Sequence, residues 1–317
     1  MKRGTLLTLL MIVSIMSSNA QISTMSIAER KEDTTVQPYD STKNFLGEKN
    51  VLSYKGQELF VMPKAESLQK YGYSDFHRSD YDVETDGSTD KIYGVSQKYV
   101  FNSPYESLVN KTFVVEDVLP IKKSYLSRKY VFVLIEKGNP ENKCKYIYDP
   151  MFEHSFPFTT MSYYNYLSNA TKEKKYVIGK DVCHSTDVHT GDSIKYTKDY
   201  AVWTVKGLTI EDKYGQLVAL LTDGTQNTYC KAGDLVENSI KRRVFEETEW
   251  NTLVKKYGLG WMNCVMKGTI KVGMPVVLVY MSWGSPERIN RSSYGSDQWV
   301  YDGQYLYIEN GKVQSWN

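Results

Sequence analysis

The chain has 317 residues, 41% of them hydrophobic and 24% charged, with a formal net charge of +2. That length suits one large domain or two to three small ones, and the composition excludes a disordered chain or a fibrous repeat. A balance this close to neutral, with no basic run interleaved with aromatics, excludes a nucleic-acid footprint; the short KRR run at residues 241–243 reads as a solvated helix start.

The first residues, MKRGTLLTLLMIVSIMSSNAQ, carry the three parts of a secretory signal. Lys2 and Arg3 form the basic region, residues 6–16 an apolar core too short to span a bilayer, and Ser18 and Ala20 the small residues read by a signal peptidase. The expectation is a signal peptide at residues 1–20 and an exported product, periplasmic or extracellular, with no transmembrane segment after cleavage. Residues 21–44 are polar and aperiodic and read as a mobile leader.

Residues 45–150 form a first β-rich unit. VLSYKGQELFVMP sets a glycine between two short β-like runs. Residues 69–90, QKYGYSDFHRSDYDVETDGSTD, make a long excursion rich in Gly, Asp, Ser and Tyr. Long loops in compact domains often carry function. Tyr71, Tyr73, Phe76 and His77 are therefore candidate surface residues, set against simple packing of the loop onto its own sheet. KTFVVEDVLP, KYVFVLIEK and CKYIYDP follow as three strands joined by polar turns.

Residues 151–238 form a second unit. FPFTTMSYYNYLSNAT reads as a bridging loop plus a short helix. KYVIGKDV, YAVWTVKGLTI, YGQLVALLTD and QNTYCKAGDL then repeat the earlier order, with a tight turn at Asp223-Gly224. The recurrence predicts two small antiparallel barrels or curled sheets related by internal duplication. In strand rhythm these units are similar to bacterial SH3-type barrels, which implies binding or targeting modules.

In residues 239–317 the period changes. From Ser239, a helical stripe holds Val244, Trp250, Leu253, Val254 and Tyr257, with Lys255 and Lys256 in its last turn and Gly258 as its cap. GWMNCVMKG is a second short helix. Pro275 suits the first turn of a third, VVLVYMSW, which Gly284 closes and Pro286 stops. DQWVY, QYLYIEN and KVQSW follow as strands, joined by Asp302-Gly303 and Asn310-Gly311 turns. The whole is expected to be an α+β, β-rich fold: small antiparallel β-barrel-like units, then a C-terminal helix-plus-three-stranded-meander module.

The residues Gly273, Met274, Trp283, Gly284, Pro286, Gln298, Trp299, Val300, Tyr301, Asn310, Gly311 and Val313 carry a pattern over the last fifth of the chain. It resembles the small outer-membrane-assembly lipoprotein and β-lactamase-inhibitor-protein-like superfamily. The resemblance implies a module that binds other proteins, and it carries over no catalytic residue. The chain departs from the lipoprotein pattern in lacking a cysteine to lipidate. Trp299 and Tyr301 share one face of their strand, and Tyr305 and Tyr307 one face of the next. One of these aromatic faces is expected to be partly exposed. With Tyr71 and Tyr73, these four are the candidate binding residues.

Chemistry-bearing residues are sparse. CHSTDVHTGD gathers Cys183, His184, Asp187, His189 and Asp192, but at no standard zinc spacing. His184 and His189 are the nearest metal candidates, and no metal or cofactor is expected. A nucleophilic Cys–His pair needs the two side chains within hydrogen-bond reach, which adjacency of Cys183 and His184 on an extended chain does not give. No G-x-S-x-G, phosphate-cradling loop or HExxH occurs. Cys144, Cys183, Cys230 and Cys264 permit three complete pairings. The expected function is non-catalytic binding of a protein or cell-envelope polymer through the β modules. The alternative is a hydrolase of cell wall or glycans that uses SH3-type units for targeting.

Overall fold

The computed structural model describes residues 37–83, 91–95, 101–122, 128–237 and 239–317. The signal segment at 1–20, residues 21–36 of the expected leader and residues 84–90 of the excursion lie outside the described residues.

The first sheet draws on β1 (Glu58–Val61), a one-turn helix α1 (Glu66–Gln69), β2 (Phe76–Arg78), β3 (Thr112–Pro120), β4 (Tyr130–Glu136), β5 (Asn139–Tyr148) and β6 (Phe158–Thr160). Helix α2 (Met161–Thr171) leads to β7 (Lys175–Gly179), β8 (Tyr200–Glu211), β9 (Gln216–Thr222), β10 (Asn227–Lys231) and β11 (Val244–Glu246). The C-terminal module holds α3 (Glu247–Tyr257), α4 (Leu259–Lys267), α5 (Val276–Trp283), β12 (Arg288–Asn290), β13 (Asp297–Tyr301), β14 (Gln304–Glu309) and β15 (Lys312–Trp316).

The first two sheets repeat one plan at the level of register. Their orders are β2-β5-β4-β3-β1-β6 and β10-β9-β8-β7-β11. Leaving out β2, β1 corresponds to β7, β3–β5 to β8–β10, and β6 to β11. In each repeat a short first strand is followed by a long excursion, a three-stranded meander and a one-turn helix (Glu153–Ser155, Gly233–Leu235). A last short strand then pairs antiparallel with the first. Val114 pairs with Glu58 and Thr204 with Lys175, and directly after each comes a bulge, at Val115/Asp117 and Val205/Gly207. A bulge bends its strand and increases twist, so each long strand turns from its first-strand partner toward the meander at the same point. Phe113 and Trp203 occupy equivalent positions, and both are fully buried. The end strands of each sheet do not pair with one another among the described residues, so both sheets are open ladders.

Alternation explains the strands. β3 buries Phe113, Val115 and Val118 on one face, the bulge resetting the phase between the last two. The core beneath the first sheet is largely aromatic: Tyr54, Phe76, Phe132, Tyr146, Tyr148 and Phe158 are all nearly inaccessible. Tyr54 and Tyr148 still satisfy their hydroxyls, donating to the carbonyls of Asn44 and Gly47 at 3.1 and 3.0 Å, as buried tyrosines require. Thr160 caps α2 by accepting from the Tyr163 amide at 3.2 Å.

Four expectations change. The leader expected to run to residue 44 is fixed at its end, because Asn44 Nδ2 donates to Phe158 O at 2.7 Å and its Oδ1 accepts from Thr160 N at 2.8 Å. The helix expected from Ser239 starts at Glu247, because residues 244–246 are captured as the last strand of the second sheet, Val244 opposite Ile178. Long-range pairing here overrides a local helical period. The C-terminal meander has four strands: β12 adds to β13, with Ile289 opposite Trp299. Phe76 is core, on a strand that extends the first sheet beyond β5.

In the C-terminal module, α4, α5 and the sheet enclose Met262, Val265, Leu278, Val279, Trp299, Leu306 and Val313. The start of α5 is tied to β15: Gly273 N donates to Val313 O at 2.7 Å, Val313 N to Met274 O at 3.0 Å and Val276 N to Gly311 O at 3.0 Å. No helix among the described residues is long and apolar enough to cross a membrane.

Candidate interaction surface

The excursion between β1 and β3 builds an open groove with aromatic walls. Tyr73 and Ser103 exchange backbone hydrogen bonds at 2.9 and 2.8 Å, clamping its two limbs together. Gly72 lets them approach: its φ is +58° and a Cβ there would overlap the Ser103 carbonyl. Asn102 Nδ2 donates to Tyr71 O at 2.8 Å. The result is a groove of about 730 Å³ lined by Tyr71, Gly72, Phe101, Pro104, Tyr105 and Glu106. Tyr71 is 58% and Phe101 67% exposed, so two large rings stand in water on a clamped backbone.

A second pocket of about 400 Å³ lies behind the same wall, lined by Lys64, Leu68, Tyr73, His154, Phe156 and Tyr214 among others. Tyr73 and Tyr105 stack at 5.8 Å, joining the two hollows. Lys64 Nζ sits 4.9 Å over the Tyr73 ring and donates to Gly72 O at 2.6 Å. Burial lowers the Lys64 pKa. Tyr214 comes from the β8–β9 turn of the second repeat, where Gly215 presses against the Pro63 carbonyl.

The expected binding residues divide. Tyr71 is exposed and lines the groove. Tyr73 is 1% exposed and forms the wall from inside, its hydroxyl donating to Met62 O at 2.7 Å. Trp299 and Tyr301 are buried against α5: Trp299 packs on Tyr280 at 4.9 Å and Tyr301 on Trp283 at 5.3 Å. They are core residues, which removes them from the binding surface. Their strand alternates in phase with Leu306 and Ile308, so the sheet turns Tyr305 and Tyr307 outward. Phe101, Tyr105, Lys64, His154 and Tyr214 were not singled out in the sequence. FNSPYE marks a turn, but only the Tyr73–Ser103 clamp brings it beside Tyr71.

The polar cluster at residues 183–192 is a self-organised loop. Asp187 accepts from the amides of His189, Thr190 and Asn227 at 2.8, 3.1 and 2.6 Å. These bonds hold its carboxyl below the usual carboxylate range. His184 stacks on Tyr229 at 4.6 Å. No group of three His, Cys, Asp or Glu among the described residues is placed to hold a metal ion, His184 and His189 included. All four cysteines are buried free thiols. Burial pushes Cys183 up to about 12 and raises Cys144 and Cys230 as well, the opposite of what an activated nucleophile needs.

A charged cleft of about 260 Å³ between the second sheet and the C-terminal module is lined by Asp234, Glu237, Lys241, Arg242 and Arg243. Arg243 is committed to structure: Nη1 donates to Val265 O at 2.7 Å and Nη2 to Ser282 O at 3.3 Å, near the ends of α4 and α5. Arg242 forks onto Glu249. Comparison with family models, curated proteins and solved structures gives no match to this chain.

Proposed function

We propose that this chain is an exported, non-catalytic binding protein, and that its partner is a protein offering an extended segment to the groove of the first repeat. One observation carries the reading: Tyr71 and Phe101 stand exposed on a clamped backbone beside Pro104 and Tyr105. Rigid aromatic rings on fixed backbone are the residues from which binding hot spots are made, since little side-chain entropy is lost on contact. An open groove with aromatic walls fits an extended or polyproline-type strand.

The duplicated order of first strand, excursion, meander, one-turn helix and returning strand supports two repeated β modules of one plan. The buried, neutral thiols disfavour a cysteine hydrolase.

The test is binding of the mature chain to an array of extended and proline-rich peptides and, separately, co-sedimentation with peptidoglycan. Y71A/F101A should weaken peptide binding at least tenfold with an unchanged melting temperature, about 1.4 kcal/mol or more at a two-ring hot spot. Sedimentation with the polymer that the double variant abolishes, without peptide binding, would replace the protein partner with a glycan.

A further inference from the structure

We infer that Cys183 and Cys230, free thiols in this structure, are placed to join as a disulfide on oxidation, and that the bridge staples the β7–β8 excursion of the second repeat to its last meander strand. His184 N donates to Tyr229 O at 2.8 Å, and Val188 N to Asn227 O at 2.9 Å. The excursion rises in number as β10 falls, so the two segments run antiparallel, though four residues of the excursion span two of β10 and the pairing is not a regular ladder. Thr228 Oγ1 donates to His184 O at 2.7 Å, holding the same stretch from the other strand. The His184 and Tyr229 rings stack at 4.6 Å, so these two side chains lie opposite one another on one face.

Successive side chains on extended backbone point to opposite faces. Cys230, next to Tyr229 on β10, therefore points inward, and Cys183, on the bend before His184, reaches the same side closely enough to add to burial in raising the Cys230 pKa. Both are buried, at 8% and 2% exposure, in the same core cluster. A disulfide spans Cα atoms about 4.4–6.8 Å apart, a distance open to residues that flank a cross-chain contact such as His184 N to Tyr229 O. The other two thiols have no such neighbour: Cys144 belongs to the core of the first sheet and Cys264 to that of the C-terminal module. Of the three complete pairings the sequence allows, the structure leaves this one bridge and two single thiols.

The oxidant is a small-molecule or protein disulfide. Cys183 and Cys230 each lose the S–H proton, one S–S bond forms between them, and the donor's S–S bond is reduced to two thiols. Burial keeps both thiols protonated in the folded chain, and the thiolate is the attacking species. Exchange therefore belongs to folding, before the excursion closes over β10.

The test refolds the reduced, denatured chain in a buffer of reduced and oxidised glutathione, then titrates thiols in denaturant and maps peptides under non-reducing conditions. The expected result is a fall from four titratable thiols to about two, with the Cys183 and Cys230 peptides linked. C144A/C264A should form the same link, and its melting temperature should rise on oxidation. C183S should show no such rise, which separates the bridge from any effect of oxidant on the fold. Four free thiols after refolding, or a bridge that uses Cys144 or Cys264, would overturn the inference.

Discussion

Arg243 offers the sharpest test of how the second repeat and the C-terminal module are joined. It follows the turn into β11, and its side chain reaches between two helix ends. Nη1 donates to Val265 O at 2.7 Å and to Arg242 O at 3.0 Å, and Nη2 donates to Ser282 O at 3.3 Å. Val265 O is also served by the Gly268 amide at 3.0 Å, so its loss would be partial. Hydrogen bonds from a charged donor contribute about 1.5–3 kcal/mol each, and a cation at a helix C-terminus about 0.3–1 kcal/mol. Desolvation acts the other way, lowering the arginine's pKa. Taken together, R243A should cost about 3 kcal/mol in urea unfolding. R243K, which keeps one charge but not the fork, should cost about half as much. R243M fills the space without donors, so it isolates the polar contribution. If R243A and R243M both cost less than about 1 kcal/mol, the guanidinium is not what joins the modules.

Three further outcomes follow from other contacts. G215A should cost more than about 2 kcal/mol, because its Cβ would overlap the Pro63 carbonyl at a φ of +65°. G303A, at +70° with open space around it, should cost only the backbone strain, about 1 kcal/mol; equal losses in chemical denaturation would refute the close approach of Gly215 to Pro63. His77 stacks on Tyr81 at 4.0 Å, and its buried Nδ1 has no hydrogen-bond partner among the described residues. Burial depresses its pKa below the ordinary 6.5, against a smaller opposing pull from Asp75. As pH falls through about 6.5 the unfolded chain takes up the proton first, so stability drops by up to about 1.4 kcal/mol per unit. H77F should flatten that slope in melts from pH 7.5 to 5, and an unchanged slope would count against a buried neutral imidazole. W299A should cost about 3–5 kcal/mol and Y305A less than about 1 kcal/mol, and thermal melts that reverse this order would invert the two faces of the C-terminal sheet.

Parts of this architecture were open to reading because they are local. Asn310-Gly311 and Asp302-Gly303 specify turns through positive φ, and both hairpins form. Gly284 ends α5 at a φ of +86°, and Pro286 beyond it bars continuation for lack of an amide donor. The recurrence of strand types in residues 110–150 and 175–235 reflects two sheets of one plan. What misled was local too. Val244 fits a helical stripe, yet β7 lacks a partner on that side and takes it as a strand. Ile289 sits in a stretch that reads as loop, until Trp299 offers it an edge. For the candidate surface, Tyr71 was legible as part of a polar, glycine-bearing excursion, but Phe101 and Tyr105 were not, since the Tyr73–Ser103 clamp that brings them together joins positions far apart in the chain.

The sequence by itself determined the β-rich character, the turns, the helix stops and the duplicated rhythm, because each rests on residues within a few positions of one another. Tertiary structure decided which aromatic face is core. Trp299–Tyr301 and Tyr305–Tyr307 have equal claims on paper, and only the side on which α5 packs breaks the tie. It decided which cysteines meet, because registry across strands is invisible to spacing along the chain. It also decided that Tyr71, Phe101 and Tyr105 share one groove, since a surface is made of residues that the fold, not the chain, places side by side.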